Sequence, residues 1–484
     1  MDELPIVVIT RRTIQGVIAL TSRTFLLQLI SLAAFIIIAS KLTVAEIGVY
    51  TAVTAIQRVI SFFTDFGFGA ALVQKKEDVT KEDLITTFTL QLLLTLSIFI
   101  IVVALQSFFL SFFHLGTKGI YLLLVLVFSI FLSSFKTIPS ILMERAIQFN
   151  KVIIPQIAES LTFNIILIVL VINGFGLASY TWGFLAAGLI SIPIYYFLAP
   201  WPIRLGISKS SLHHLRFGIQ FQAKNILATI KDDFLTVILT KFLPYTAIGY
   251  IGFAQRLAFF VYRFIVDSVT KVTFSSYSRI QHDQELLRKA IEKSLFYVSA
   301  CMFPLLTGLI FVAPYIIAYY PKWHGKWEPA LFSLTFFSLN ALISSLSGIL
   351  INVLDSSGRV KVTLKLMIFW TAATWILTPL AIYKYGYNGV AIASFLITLS
   401  IGITIFLVRR IVTFSFFTSI ATPSVATIVM CVCLYFVGRL FIHDIFTLIS
   451  AIIMAGIVYL LIFSAFSYRQ LRLDMQRLRR QQHG

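Results

Sequence analysis

Residues Leu84 to Phe109 read LITTFTLQLLLTLSIFIIVVALQSFF, a stretch without one Asp, Glu, Lys or Arg. As an α-helix it is about 39 Å long, more than the roughly 30 Å of a bilayer's hydrocarbon core. Comparable runs recur along the whole chain. Of its 484 residues, 58% are hydrophobic and only 12% charged, whereas a soluble domain carries roughly 25% charged residues. No soluble core hides that much apolar surface, so the membrane has to be the solvent. The 46 Phe suit lipid-facing helices. Cys301, Cys431 and Cys433 lie in apolar runs without His partners at ligand spacing, which argues against a disulfide framework or a zinc site. Thr10-Arg11-Arg12 leads straight into the first apolar run, which no small-residue cleavage motif closes, so that run is expected to remain as a span.

Working outward, the sequence predicts an all-α polytopic membrane protein of about fourteen spans. The first seven are Gly16 to Ala39, Ile47 to Val73, Leu84 to Phe109, Ile120 to Ile138, Val152 to Val171, Leu177 to Phe197 and Phe217 to Thr240. The second seven are Ile248 to Phe274, Ser294 to Ala318, Ala330 to Val353, Val362 to Tyr383, Gly389 to Val408, Ala421 to Phe441 and Ile445 to Phe466. The Lys and Arg of successive loops and the span ends adjoining them alternate cleanly on this scheme, with 26 on one side and 7 on the other. Cytoplasmic loops carry the excess, so both termini are expected in the cytoplasm of a cell membrane protein. The net charge of +19 is this topological signal plus attraction to anionic headgroups, not a nucleic-acid footprint. The longest cytoplasmic connection, Ser275 to Lys293, sets Tyr277, Ile280, Leu287 and Ile291 near helical spacing and reads as an interfacial helix. The tail from Arg469 to Arg480 alternates Leu with Arg, and a surface helix and a solvated tail fit it equally.

An internal repeat organises the spans. Ser40-Lys41 before Ile47-Gly48 matches Thr240-Lys241 before Ile248-Gly249, and Gln57-Arg58 matches Gln255-Arg256. The expected division is two pseudo-symmetric six-helix lobes, 12–198 and 217–410. A linker over 199–216 containing Pro200 and Pro202 joins them, and helices thirteen and fourteen over 411–468 and a basic tail over 469–484 follow. Parallel repeats of this kind build transporters.

Charges at membrane depth single out the candidate functional residues. The cations are Arg23, Arg58, Lys224, Lys231, Arg256 and Arg263, and the carboxylates are Asp65, Glu159, Asp232, Asp233 and Asp267. A central Arg, Lys or Asp facing lipid costs roughly 2.5–3.5 kcal/mol, so these groups are expected in the bundle interior or a watery cavity. Residues seven apart lie about 20° from each other around a helix and share a face. Arg58 with Asp65, Lys224 with Lys231 and Arg256 with Arg263 are such pairs. Counted along their helices, Arg58, Lys231 and Arg256 fall near mid-membrane, where snorkelling is hardest, and Arg23, Lys224 and Arg263 fall nearer the cytoplasm. Lining a cavity and closing structural ion pairs are the two readings of these cations. Asp65, Asp232 and Asp233 are the carboxylates placed to carry a proton or bind Na⁺. His114, His324 and His443 are scattered, so neither a catalytic constellation nor a metal site is expected, and no cofactor is called for.

Several short motifs bear a resemblance. Arg23-Thr-Phe25, Glu46-Ile-Gly48-Val-Tyr50, Asp65-Phe-Gly67-Phe-Gly69-Ala-Ala-Leu-Val-Gln74, Arg145 with Phe149, and Gly174-Phe-Gly176 leading to Trp182 occur in that order. Phe217-Gly218, Asp232-Asp233, Ile248-Gly249-Tyr250, Gly325-Lys326-Trp327 and Ser357-Gly358-Arg359 continue the series. Over about residues 12 to 410 the chain resembles the polysaccharide (O-antigen, Wzx-type) flippases of the multidrug/oligosaccharidyl-lipid/polysaccharide exporter superfamily. The resemblance implies a two-lobed helical fold, a central cationic cavity, undecaprenyl-diphosphate-linked oligosaccharide as cargo and alternating access. It also implies membrane lipid as a partner, with a polysaccharide polymerase and glycosyltransferases acting on the same cargo.

Three other readings compete with this one. A lipid II flippase differs mainly in cargo, and a multidrug cation exporter of the same superfamily should have a cavity led by carboxylates. A membrane polysaccharide polymerase or ligase needs a sizeable outward loop, yet the longest here is about Tyr319 to Pro329. The charge asymmetry makes a direct prediction: single cysteines at Gly116 and His324 will react with an impermeant thiol reagent added outside intact cells, and cysteines at Arg410 and Gln470 will not. Labelling of all four from one side would refute the fourteen-span scheme.

Overall fold

The structure, a computed structural model, describes residues 26–64, 72, 78–208, 227 and 229–482, and every regular element among them is helical. Lipid offers no hydrogen-bond partner to a bare N–H or C=O, and a helix satisfies its interior groups within itself. The chain forms two compact units, Met1–Gly249 and Tyr250–Gly484.

The first unit contains α1 (Leu26–Lys41) and then α2 (Val44–Phe62), α3 (Lys81–Ala104), α4 (Gln106–Phe113), α5 (Gly116–Arg145), α6 (Phe149–Ile172) and α7 (Ala178–Leu198). A π-helical turn (Ile230–Phe234), α8 (Leu235–Phe242) and the opening residues of α9 (Tyr245–Ile280) complete it. Capping boxes start two of these helices. Thr43 N–H donates to Glu46 Oε2 at 2.9 Å and Glu46 N–H to Thr43 Oγ1 at 3.2 Å; Thr80 and Asp83 repeat the exchange at 3.0 and 3.2 Å. Helix α5 is central, packing on α2, α3 and α7 with Leu122, Leu123 and Val127 fully buried. The third expected span, read as one helix to Phe109, breaks at Leu105, and α4 follows as a short Phe-rich helix ended by His114 at φ 52°.

The second unit holds the rest of α9, then α10 (Gln284–Tyr319), α11 (Ala330–Ser356), α12 (Val360–Tyr385), a 3₁₀ turn (Gly386–Asn388), α13 (Gly389–Thr398) and α14 (Ile401–Arg409). It closes with α15 (Phe416–Phe441) and α16 (Ile445–Gln482). Leu295, Met302, Leu306, Ile349, Leu350 and Val353 form its main core, and α15 and α16 pack together around Ala426, Met430, Leu448 and Ala455. Asp444 opens α16 by accepting from Thr447 Oγ1 at 2.6 Å and Thr447 N–H at 2.7 Å, and the hydroxyl's bond, with the backbone's, holds its carboxyl below the usual range.

Among the described residues nine helical stretches are long and apolar enough to cross a membrane, and since Val360–Arg409 holds two expected spans they account for ten of the fourteen. The described parts of the other four fall on α1, α2, residues 227 and 229–242, and α9; the last three of these carry Arg58, Lys231, Arg256 and Arg263, and the charges lower their apolarity. The interfacial helix expected over Ser275–Lys293 is corrected: α9 runs to Ile280, α10 begins at Gln284 and only a tight turn separates them. Asp283 enforces the turn by accepting from the N–H groups of Glu285 and Leu286 at 3.0 and 2.9 Å. The supposed membrane-facing residues Tyr277, Leu287 and Ile291 are buried in the second unit's core.

The repeat motifs meet within the first unit. A Cβ on Gly48 would overlap the Tyr245 carbonyl, and one on Gly249 would overlap the Val44 carbonyl, so α2 and the start of α9 cross backbone to backbone. Overpacking of this kind costs about 1–3 kcal/mol. Gly48→Ala is therefore expected to lower the thermal midpoint of the detergent-purified protein by several degrees. Gly402→Ala, whose Cβ meets nothing within 4 Å, should leave it unchanged. Equal midpoints would mean that the close crossing does not support the fold.

Candidate functional site

Helix α2 turns Ile47, Ala52, Val53 and Ile56 into protein and leaves Arg58 exposed. The Arg58 guanidinium donates through Nε to Asp233 Oδ1 at 2.5 Å, a partner 175 residues away in sequence. Asp233 comes from the π turn Ile230–Phe234, whose sequence is IKDDF. A π turn holds an extra residue and concentrates at functional sites. Its Lys231 Nζ lies 2.8 Å from Asp232 Oδ1, so two ion pairs stand side by side within one turn. The side chains of Arg58 and Asp232 are 53% and 64% exposed, those of Asp233 and Lys231 20% and 27%. An exposed ion pair contributes only about 0–1 kcal/mol, and an unpaired cation at membrane depth costs several times more. The pairs therefore neutralise the site while staying easy to exchange.

The sequence-predicted residues separate accordingly. Arg58, Lys231, Asp232 and Asp233 come together in the first unit. Arg256 and Arg263 belong to the second unit, exposed with Asp267 along one face of α9, opposite the buried Ala254 and Ala258. Arg23, Asp65 and Lys224 lie outside the described residues. No group of three or more His, Cys, Asp or Glu among the described residues is arranged to hold a metal ion.

One charged pair escaped the sequence reading. Glu159, expected to stand alone in the fifth span, takes Lys136 Nζ on both oxygens at 2.9 and 3.0 Å. Lys136 lies near the end of the expected fourth span, and α5, continuing to Arg145, keeps it well inside the helix. The two residues stand at nearly mirrored distances from the tight 146–148 turn between α5 and α6, and that spacing was the available signal.

Several motif residues prove to be joints. Glu46 Oε1 accepts the Leu177 N–H at 3.0 Å as α7 begins, and Gly176, at φ +58°, makes room because a Cβ there would strike that carboxylate. Tyr50 stacks on Tyr180 with centroids 3.9 Å apart, and Arg145 Nη1 donates to the Leu72 carbonyl at 2.7 Å.

Comparison with known proteins agrees with this architecture. Residues 37–330 match the family model described as polysaccharide biosynthesis protein. A curated relative, the lipopolysaccharide biosynthesis protein WzxC of Escherichia coli (strain K12), is 27% identical over 159 residues; the match spans 33% of this chain and only 32% of that protein's length. Among solved structures, the lipid II flippase MurJ in an inward closed conformation superposes with a TM-score of 0.75 at 18% identity, over 93% of this chain and 99% of that one. An inward-facing multidrug resistance MATE family transporter of the MOP superfamily gives 0.61 at 14% identity, over 79% and 95%. At such identities the likeness is one of fold.

The Lys136–Glu159 pair makes a prediction of its own, because Lys136 is only 13% exposed and removing one partner strands the other charge. Glu159→Ala, which strands the shielded Lys136, is expected to cost about 3 kcal/mol of stability, and the Lys136→Ala/Glu159→Ala double variant less than that. The check is a double-mutant cycle on thermal midpoints in detergent; strictly additive losses would show that the two side chains do not interact.

Proposed function

This chain belongs to the polysaccharide biosynthesis protein family, and from that premise we propose that it is a membrane transporter, not an enzyme. Its cargo on this reading is undecaprenyl-diphosphate-linked oligosaccharide, moved from the cytoplasmic to the outer leaflet by alternating access for surface polysaccharide synthesis. The observation that carries the reading is the exposed Arg58 of the second span, paired with a carboxylate. A flippase must take a hydrophilic headgroup through the hydrocarbon while the polyprenyl tail stays in lipid. A diphosphate buried alone would cost many kcal/mol, and fixed cations offset that cost. Arginine suits the task because its planar fork pairs two phosphate oxygens at once, whereas Lys231 acts as a mobile point charge. Arg58 and Lys231 serve in the first half of the chain, with Arg23 and Lys224 on the same reading, and Arg256 and Arg263 serve in the second.

A lipid II flippase is the second reading, favoured by the superposition on MurJ; it keeps the diphosphate chemistry and changes the sugar. A multidrug cation exporter fits less well, since exposed Arg58, Arg256 and Arg263 would repel a cationic drug. Deleting the gene and extracting lipids separates the two cargoes by which lipid-linked precursor accumulates on the cytoplasmic leaflet.

Export of surface polysaccharide in a flippase-deleted host, normalised to membrane protein level, tests the cationic site. Arg58→Ala and Arg256→Ala are expected to lose export at least tenfold while still folding, and Arg→Lys at either position to retain part of it. Arg256→Glu should be worse than Arg256→Ala, and wild-type export by Arg256→Glu would refute the model.

A further inference from the structure

We propose that Asp233 is an internal stand-in for the cargo's phosphate, holding Arg58 while the site is empty and yielding it when a diphosphate arrives. The inference rests on the reading of Arg58 as a cargo-binding cation and adds how that cation is kept and released.

Three observations point this way. The pair is built by the fold, since α2 and the π turn bring together residues 175 apart in sequence. It is also incomplete as an arginine site. Asp233 engages Nε through one oxygen at 2.5 Å, the Arg58 side chain stays 53% exposed, and among the described residues no further acceptor is bonded to it. A diphosphate offers several oxygens and more negative charge, and so can form the paired, charge-assisted contacts that a single carboxylate oxygen leaves unmade. Lastly, the charges around Asp233 are already matched. Lys231 lies 2.8 Å from the neighbouring Asp232, which leaves Arg58 as the partner of Asp233.

An exchange follows from this geometry. When phosphate takes Arg58, Asp233 becomes a carboxylate without its cation beside a bound anion, and like charges at that range oppose binding. The opposition limits affinity and favours release on the far side, which a carrier needs and a plain cationic pocket lacks. The empty site in turn never presents an unpaired arginine at membrane depth. Asp233 is thus a specificity and release residue that acts through Arg58.

The experiment uses the full chain in nanodiscs of zwitterionic lipid, with farnesyl diphosphate as the soluble probe, titrated calorimetrically. Asp233→Asn keeps the side chain's shape and removes its charge. We expect it to bind the probe about tenfold more tightly than wild type, equivalent to about 1.4 kcal/mol, while surface polysaccharide export falls several-fold at equal protein level. Arg58→Ala should bind at least tenfold more weakly, and Arg58→Ala/Asp233→Asn no more tightly than Arg58→Ala. If Asp233→Asn binds no more tightly than wild type while Arg58→Ala binds more weakly, the stand-in role is overturned and the cargo role of Arg58 survives. Equal binding by Arg58→Ala and wild type would overturn the cargo role and the stand-in role together. A gain from Asp233→Asn that persists without Arg58 would also overturn the exchange. Asp233→Ser makes the same comparison if the Asn variant does not accumulate in the membrane.

Discussion

Hydrocarbon accepts no hydrogen bonds, and that single property dictates both the helices and what their polar side chains do. Most hydroxyls in the spans turn back on their own helix: Thr89 to the Ile85 carbonyl, Ser129 to Val125, Thr371 to Met367 and Ser394 to Val390, all at 2.8–2.9 Å. Among the described residues a smaller set of polar groups crosses between helices. In the second unit Asn352 donates to the Thr270 carbonyl and to Thr273 Oγ1, Asn340 to the Ser394 carbonyl, and Tyr459 to the Ala300 carbonyl. With lipid competing for every apolar contact, such bonds and close packing, not the hydrophobic effect, decide which helix sits beside which.

Charge is the harder case, and the chain treats it in three ways. At helix ends it caps: Glu46 takes the N–H of Leu177 and Asp283 those of Glu285 and Leu286. Between α5 and α6 it is consumed in a two-oxygen pair that leaves Lys136 largely shielded. At α2 and the π turn it stays half-open, with Arg58 and Asp232 both more than half exposed. The third treatment leaves opposite charges paired and accessible together.

How much of this was legible depends on range. Helix content and the ten long apolar spans are local properties, written in apolar runs and in the rarity of charge, so they could be read directly. Partners between distant residues could not. That Arg58 meets Asp233, and that Glu46 meets the start of α7, depends on packing that no local pattern encodes. The π turn had no visible signal either, because IKDDF reads as an ordinary polar helical turn. The connection at Ser275–Lys293 misled for a related reason. Tyr277, Leu287 and Ile291 have the apolar spacing of a membrane-surface helix, and the same spacing buries them against protein when a turn at Asp283 folds the two ends together.

The internal repeat shows how one motif acquires two roles. Its glycines do the same thing in both copies, since Gly48 and Gly249 each admit a carbonyl of the other helix where a methyl group would collide. Its lysines do not. Lys241 donates to the Phe112 carbonyl while lying over that residue's ring at 3.7 Å, and Tyr245 donates to the Phe113 carbonyl. Together they satisfy carbonyls that the end of α4 would otherwise leave bare, a need that every helix C-terminus has. The glycine contact is backbone against backbone and tolerates little change, whereas a lysine at a helix corner is free to serve whichever neighbour lacks a donor.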